Sequence, residues 1–345
     1  MKVLFSPIIA TSILSQSDLI KKLIQEKGYK VVYKNYIGIN DADKPDVHAL
    51  LWFTLGIAEF STDVVATYLM SKKPKAVYVT VEGVPTPATY LCSNLPKLEF
   101  IAVSEFAKSC LEQAHLKVID VVHHGIDLQE VQQALKFAEF EKSKFKERFG
   151  DSIVFLYVGR NDPRKNLKGL LQAVDILENK GIHDFVVLLH TDPSIIDSIK
   201  SPHVQFLSKF GSLNHVQVLK LMAMSDYLVF PSISEGFGLP VLEANSVGTP
   251  VLHAWFPPLS EFSSKVFNFT WDFDERELVQ NMNRQYWIFH KYNPLSLAEM
   301  MEMAIDIFKN KKDEYEDYQK QAKQHAKKFD YRKIYPRLLR HINIS

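Results

Sequence analysis

Short runs of β-branched and aromatic residues alternate along this chain with longer stretches whose apolar residues recur at helical spacing. This pattern predicts parallel β-sheets flanked by helices. In the first half, strands are predicted at 2–6, 29–33, 49–53, 76–81, 100–103 and 118–122, with helices over 17–27 and 105–114. Ser17 would cap the first helix and Gly28 would stop it. A polar, Lys/Glu-rich helical stretch over 128–149 then marks a domain boundary. The second series has strands at 153–158, 184–190, 203–207, 227–230 and 250–254, with helices over 167–179 and 239–246. A charged helix over 313–328 and an amphipathic one over 331–342 close the chain. The expected fold class is therefore α/β, two consecutive doubly wound parallel-sheet units. In such sheets ligands sit outside the carboxyl ends of the strands, so the residues that follow the strands carry the most information.

Composition narrows the function. The 345 residues carry 41 basic and 40 acidic side chains, a balance that gives no electrostatic reason for a nucleic-acid partner. Aromatic residues make up 12% of the chain, which excludes disorder. The longest apolar stretch, 49–60, is broken by Thr54 and Glu59, short of the roughly 18 uninterrupted residues of a spanning helix. The first residues read as a strand and not as a signal peptide. Cys92 and Cys110 have no metal-ligand spacing and read as reduced thiols of a cytoplasmic protein.

Two segments carry chemistry. In the first, 230–244, a strand ends near Phe230, a glycine loop follows, and Pro240 stands just inside a helix start. The amides of Gly236, Phe237, Gly238 and Leu239 would face a ligand with the positive end of the helix dipole behind them, a phosphate site. Glu235 in the turn and Glu243 in the first helical turn suit the hydroxyls of a sugar or ribose. Read singly, each has a plainer reading, as a loop residue or a dipole-favoured glutamate. The second segment, 157–166, places Gly159, Arg160, Arg164 and Lys165 after a strand and before a helix that Asn166 could cap. Arg160 and Lys165 suit a diphosphate that gains charge as it leaves, and the alternative is an exposed basic loop.

Gly159-Arg160 with Lys165-Asn166, followed by the Glu-x7-Glu element from Glu235 to Glu243, resembles the retaining GT-B glycosyltransferases of family four, the glycosyl transferases group 1. Val103-Ser104 and the segment 122–127 resemble that family's connecting elements. The resemblance is specific over 159–261 and loose in the first half. It implies two Rossmann-like domains, 1–147 on the acceptor side and 148–330 on the nucleotide-sugar side, facing a deep crevice, with 331–345 packing back on the first. It assigns Arg160 and Lys165 to the diphosphate, Glu235 and the amides of 236–239 to the donor sugar and phosphate, and Glu243 to the ribose. Ser208, Lys209 and Phe210 match the stretch that lines the base. The sequence departs from the family at 7–12, where a glycine pair is absent, and at 255–258, where a Gly-rich turn is replaced. It departs also at Glu82, where the family often has His. Glu82 is expected either to make a salt bridge or a hydrogen bond to the backbone of the turn at Gly83 to Pro85, or to accept from donor-sugar or acceptor hydroxyls and balance positive charge at the anomeric carbon.

The expected activity is retaining transfer of a hexose from a UDP- or GDP-linked sugar to a glycan, lipid-linked or other hydroxyl acceptor. No cofactor or metal is expected, and peripheral membrane contact is allowed for. The alternatives are a related sugar-nucleotide hydrolase, epimerase or phosphorylase, and a non-catalytic nucleotide-sugar-binding protein. Arg160→Ala and Lys165→Ala are expected to lower turnover more than stability. Asp41-x-Asp43 and Asp272-x-Asp274 read as solvated turns. His123, His124, His190 and Asp192 read as loop and turn residues near the crevice. Lys72, Lys73 and Lys75 form a cluster that reads as a solvated helix end, or as a contact with anionic lipid if the acceptor is a lipid-linked sugar.

Overall fold

The computed structural model describes residues 1–8, 10–57, 60–86, 94–280 and 285–345. Its first domain runs β1 (Lys2–Pro7), α1 (Thr11–Glu26), β2 (Lys30–Tyr33), α2 (Ile39–Ala42), β3 (Val47–Leu55), α3 (Thr62–Met70), β4 (Lys75–Thr80), β5 (Gly83–Pro85), β6 (Glu99–Ala102), α4 (Glu105–Gln113) and β7 (Lys117–Val121). Six of these strands form a parallel sheet in the order β2-β1-β3-β4-β6-β7. Its central strands are apolar on both faces because helices cover both; Phe5, Phe53, Tyr78 and Phe100 are completely buried.

Helix α5 (Leu128–Glu147), capped by the Asp127 carboxylate, leads to the second domain. This runs β8 (Ile153–Val158), α6 (Leu167–Asn179), β9 (Phe185–Thr191), β10 (Val204–Lys209), α7 (His215–Met224), β11 (Tyr227–Phe230), α8 (Leu239–Val247), β12 (Val251–Ala254), α9 (Leu259–Phe262) and β13 (Phe269–Trp271). The order β10-β9-β8-β11-β12-β13 is again wholly parallel, so the chain has the two Rossmann-like sheets expected of it.

The antiparallel strands β14 (Glu275–Gln280) and β15 (Gln285–Lys291) were not expected. Strand β15 pairs with β5 of the first domain, so Gly83–Pro85 is a strand and not a turn. A Cβ on Gly83 would sit 1.7 Å from the Tyr286 carbonyl oxygen, which leaves glycine as the residue that fits there. This small sheet ties the two domains together. Helices α10 (Pro294–Asn310), α11 (Lys312–Ala326) and α12 (Tyr331–Arg340) end the chain. Helix α12 lies on the first domain. The Tyr331 amide donates to the Ile126 carbonyl at 3.0 Å, and Arg337 and His341 meet Asp120.

Two local expectations are corrected. Helix α1 begins at Thr11, six residues before Ser17, and Ser17 is a completely buried residue within it that caps nothing. Asn166 stands at the start of α6 in a left-handed conformation without a side-chain cap. Cys110 is buried in α4, where burial pushes its thiol up to about 12. Cys92, Ile9 and Glu59 lie outside the described residues.

Candidate active site

The carboxyl ends of β8 and β11 adjoin, so the segments that follow them share one site. Strand β11 ends at Phe230, and 231–239 are all buried. Gly238, at φ +100, turns the chain into α8, where an added Cβ would stand 2.2 Å from Leu259 Cδ2. Phe237 stacks on Phe262 at 4.5 Å and meets the His124 ring edge-on at 4.9 Å.

Glu235 is at the centre. Its Oε1 accepts from Lys165 Nζ and Ser232 Oγ, each at 2.5 Å, and its Oε2 lies 3.6 Å from Arg164 Nη1. Burial pushes the Glu235 carboxyl up, but Lys165 and Arg164 outweigh it and hold the group below the usual carboxylate value. Burial likewise draws Lys165 below the usual lysine value against the attraction of Glu235. Lys165 and Glu235, which the resemblance assigns to different parts of a donor, are in direct contact.

Arg160 is not part of that cluster. Its side chain is 70% exposed and faces Asp192 at 3.5 Å, while Gly159 is buried and donates to the His190 carbonyl at 3.1 Å. The inward cation that sequence reasoning left without a role is Arg164. Residues 163–165 form one 3-10 turn, and the turn points Arg164 and Lys165 together into the interior. Arg164 Nη2 reaches Glu82 Oε1 at 2.9 Å, its Nε lies 3.7 Å from Asp162, and its Nη1 donates to the Ser234 carbonyl at 3.4 Å. A basic residue beside the lysine was the available signal, but the spacing alone could not say which of the two arginines turns inward.

Glu82 makes a salt bridge, to Arg164 across the domain boundary, in place of a hydrogen bond to the backbone of Gly83–Pro85. Its second oxygen accepts from the indole Nε1 of Trp287 at 3.2 Å, and its backbone carbonyl accepts from Ser234 Oγ at 3.0 Å. Burial pushes its carboxyl above the ordinary value, against the opposing pull of Arg164. Both domains therefore contribute to one buried set of two carboxylates and two cations.

The Cβ side of Gly236 is closely approached as well. What approaches it is the first domain. A Cβ there would lie 2.3 Å from Thr80 Oγ1 and 2.9 Å from the Val81 carbonyl oxygen, and its own carbonyl accepts from Ser104 Oγ at 3.0 Å. Gly236→Ala is therefore expected to strain the contact between the domains by about 1–3 kcal/mol, as overpacking does. The melting midpoint would fall by several degrees, at about 2–4 °C per kcal/mol. A midpoint equal to wild type in scanning calorimetry would show that the approach relaxes freely. Glu261 adds a further link between the domains, with its carboxylate accepting from the Glu105 and Phe106 amides at 2.8 Å each.

Glu243 is the fifth residue of α8, past the first turn where it was expected. It is buried, and its Oε1 lies 3.0 Å from His215 Nε2, whose Nδ1 lies 2.6 Å from Glu130 Oε2. Ser208 is held by His190 Nδ1 at 2.7 Å, Phe210 lies with its ring 5.7 Å from the same histidine, and Lys209 is exposed at the end of β10. All three stand at the carboxyl edge of the second sheet.

The weaker motifs are used locally. Asp41 pairs with Lys34 and Lys44, Asp43 accepts from Ser71, and Asp274 accepts from the Asn293 amide. Lys73 and Lys75 donate to backbone carbonyls of Val47 and Ser71 and so do not form a free cationic patch. His124 is buried against Tyr78 Oη at 3.0 Å, and burial lowers it to about 3. Among the described residues there is no cluster of three metal-ligating side chains, and no helix is long and apolar enough to cross a membrane.

Residues 139–264 match the family described as Glycosyl transferases group 1. The uncharacterized glycosyltransferase 335 of Sulfolobus islandicus rod-shaped virus 1 is 28% identical over 337 residues, which cover 95% of this chain and 97% of that protein. A glycosyltransferase from Rickettsia africae ESF-5 superposes with a TM-score of 0.74 at 14% identity, covering 99% of this chain and 98% of that one. Anabaena Alr3699/HepE, solved in complex with UDP-glucose, gives 0.70 at 14% identity, covering 99% of both chains.

Proposed function

We propose that this chain, a group 1 glycosyltransferase with the GT-B fold, moves a hexose from a nucleoside-diphosphate sugar, UDP- or GDP-linked, to a hydroxyl acceptor with retention at the anomeric carbon. The observation that supports this most is the contact of Lys165 with Glu235 directly before the N-terminus of α8. That arrangement supports the reading because a cation and a helix dipole would stabilise a leaving diphosphate as it gains charge, and a carboxylate would accept from sugar hydroxyls. The UDP-glucose bound by the Anabaena neighbour supports a nucleotide-sugar donor.

Lys165 and the N-terminus of α8 would meet the diphosphate, with Arg160 adding charge from the rim. Glu235 would orient the sugar, and Glu243 would accept from the ribose. Gly159 and the stretch Ser208, Lys209 and Phe210 would border the base. The acceptor hydroxyl attacks from the face that the nucleotide leaves, and a donor phosphate oxygen takes its proton. Glu82 would balance positive charge at the anomeric carbon from the first domain. The acceptor, a glycan, a lipid-linked sugar or another hydroxyl compound, would enter from that domain.

A thermal-shift panel of UDP, GDP and ADP with their sugars tests the donor class, since a ligand at 100 times its Kd stabilises by about 2.7 kcal/mol. A protein that none of them stabilises would not be a nucleotide-sugar enzyme. Free sugar released without acceptor would instead indicate hydrolysis. Because the cations and the helix dipole supply the positive charge, transfer is expected to survive EDTA. Loss of transfer on chelation with recovery on Mn²⁺ would reverse the metal-free reading.

A further inference from the structure

We propose that His215 is a positioning residue for the donor nucleotide, bridging Glu130 and Glu243 so that one Glu243 oxygen is fixed and the other is presented to a ribose hydroxyl. The proposal rests on the reading of Glu243 as the ribose acceptor. Three elements meet at this imidazole. Glu130 stands in the first turn of α5, His215 begins α7, and Glu243 lies in α8.

The geometry fixes the charge state. Both ring nitrogens face carboxylate oxygens, at 2.6 and 3.0 Å. A neutral imidazole has only one N–H and would turn a lone pair toward the other carboxylate, so the bridge requires the imidazolium. The other charged residues that line the groove beside the ring are Glu141 of α5 and Lys220 of α7, which pair with each other at 2.8 Å. Burial lowers the affinity of His215 for its proton, yet the two carboxylates more than reverse this and raise the group to about 10. An open groove of about 520 Å³, lined by Glu130, Phe137, His215 and Lys220, gives the ring access to solvent.

Glu243 depends on this partner. Its side chain is 11% exposed, and its contact with His215 is made through Oε1. Without His215 the carboxylate loses the contact that sets its plane. The hydroxyl that Oε2 should accept would then meet a group free to rotate. Orientation is lost before charge is, so the effect belongs to nucleotide affinity and not to the chemical step.

The test uses UDP and GDP, each against its 2′,3′-dideoxy form, in titration calorimetry with wild type, His215→Ala and His215→Gln. Wild type is expected to bind the ribose form of its preferred nucleotide at least tenfold more tightly than the dideoxy form. His215→Ala is expected to bring that ratio close to one. His215→Gln, which can still donate to one carboxylate, should recover part of it. The wild-type ratio should stay flat between pH 6 and 9, because the imidazolium persists across that range. Equal affinity of wild type for both forms would remove the ribose reading itself. Discrimination by wild type that His215→Ala retains in full would overturn only the positioning role, and comparison of melting midpoints identifies a variant that has failed to fold.

Discussion

Lys165→Ala is expected to lower kcat/KM by about 10²–10³-fold, the loss typical of a donor that stabilises transition-state charge. It should at the same time destabilise the fold by about 3–5 kcal/mol, because Glu235 is left buried with its nearest cation gone. The sequence alone predicts a larger loss of turnover than of stability for both Arg160→Ala and Lys165→Ala. Burial of the pair revises that for Lys165 and leaves it in place for Arg160, whose exposed side chain can be removed without exposing an unpaired charge. A second variant separates the two effects. Lys165→Met with Glu235→Gln replaces both partners, so the melting midpoint should move back toward wild type while activity stays low. Wild-type kcat/KM in Lys165→Ala would take this residue out of the site.

The pH dependence has a fixed sign. The folded-state value of Glu235 lies below its ordinary one, so its contribution to stability is present above the ordinary carboxylate range and is lost as pH falls through the lowered value. His215 runs the other way. Its contribution is full below the ordinary histidine value and fades as pH rises toward about 10.

The parallel sheets were legible because their strands are apolar on both faces, as at 153–158, where sequence and structure give the same bounds. Strand β14 was not, because Glu275–Gln280 is largely polar and takes its form from pairing with β15, while β5 has only three residues. Ser17 misled for a related reason. It has the chemistry of a cap, but it stands on the inner face of α1 among Ile13, Ile20 and Ile24, so tertiary burial decided its place. At the site, the Lys165–Glu235 contact follows from motifs after two adjacent strands. The choice of Arg164 over Arg160 as the inward arginine depends on a single 3-10 turn, and no periodicity in the sequence specifies that turn.

Glu82→Gln is expected to produce the opposite balance from Lys165→Ala. The carboxylate is buried, and its folded-state value lies above the ordinary one, so burial costs more than Arg164 returns. Ionising it works against the fold: stability contributed by the neutral form is lost as pH rises from the ordinary value through the raised one. Glutamine stays neutral and can still accept from Trp287, while Arg164 keeps Asp162 and Glu235. The melting midpoint at neutral pH should therefore stay close to wild type, and the decline of stability through that pH range should become shallower. Turnover should fall by about 10–100-fold, because the charge proposed to balance the anomeric carbon is lost. Nucleotide affinity should change little, since no contact assigned to the diphosphate or ribose is altered. Wild-type kcat with an unchanged pH profile would confine Glu82 to holding the domains together, whereas an equal loss of nucleotide affinity and turnover would place its effect on Arg164 and the donor phosphates.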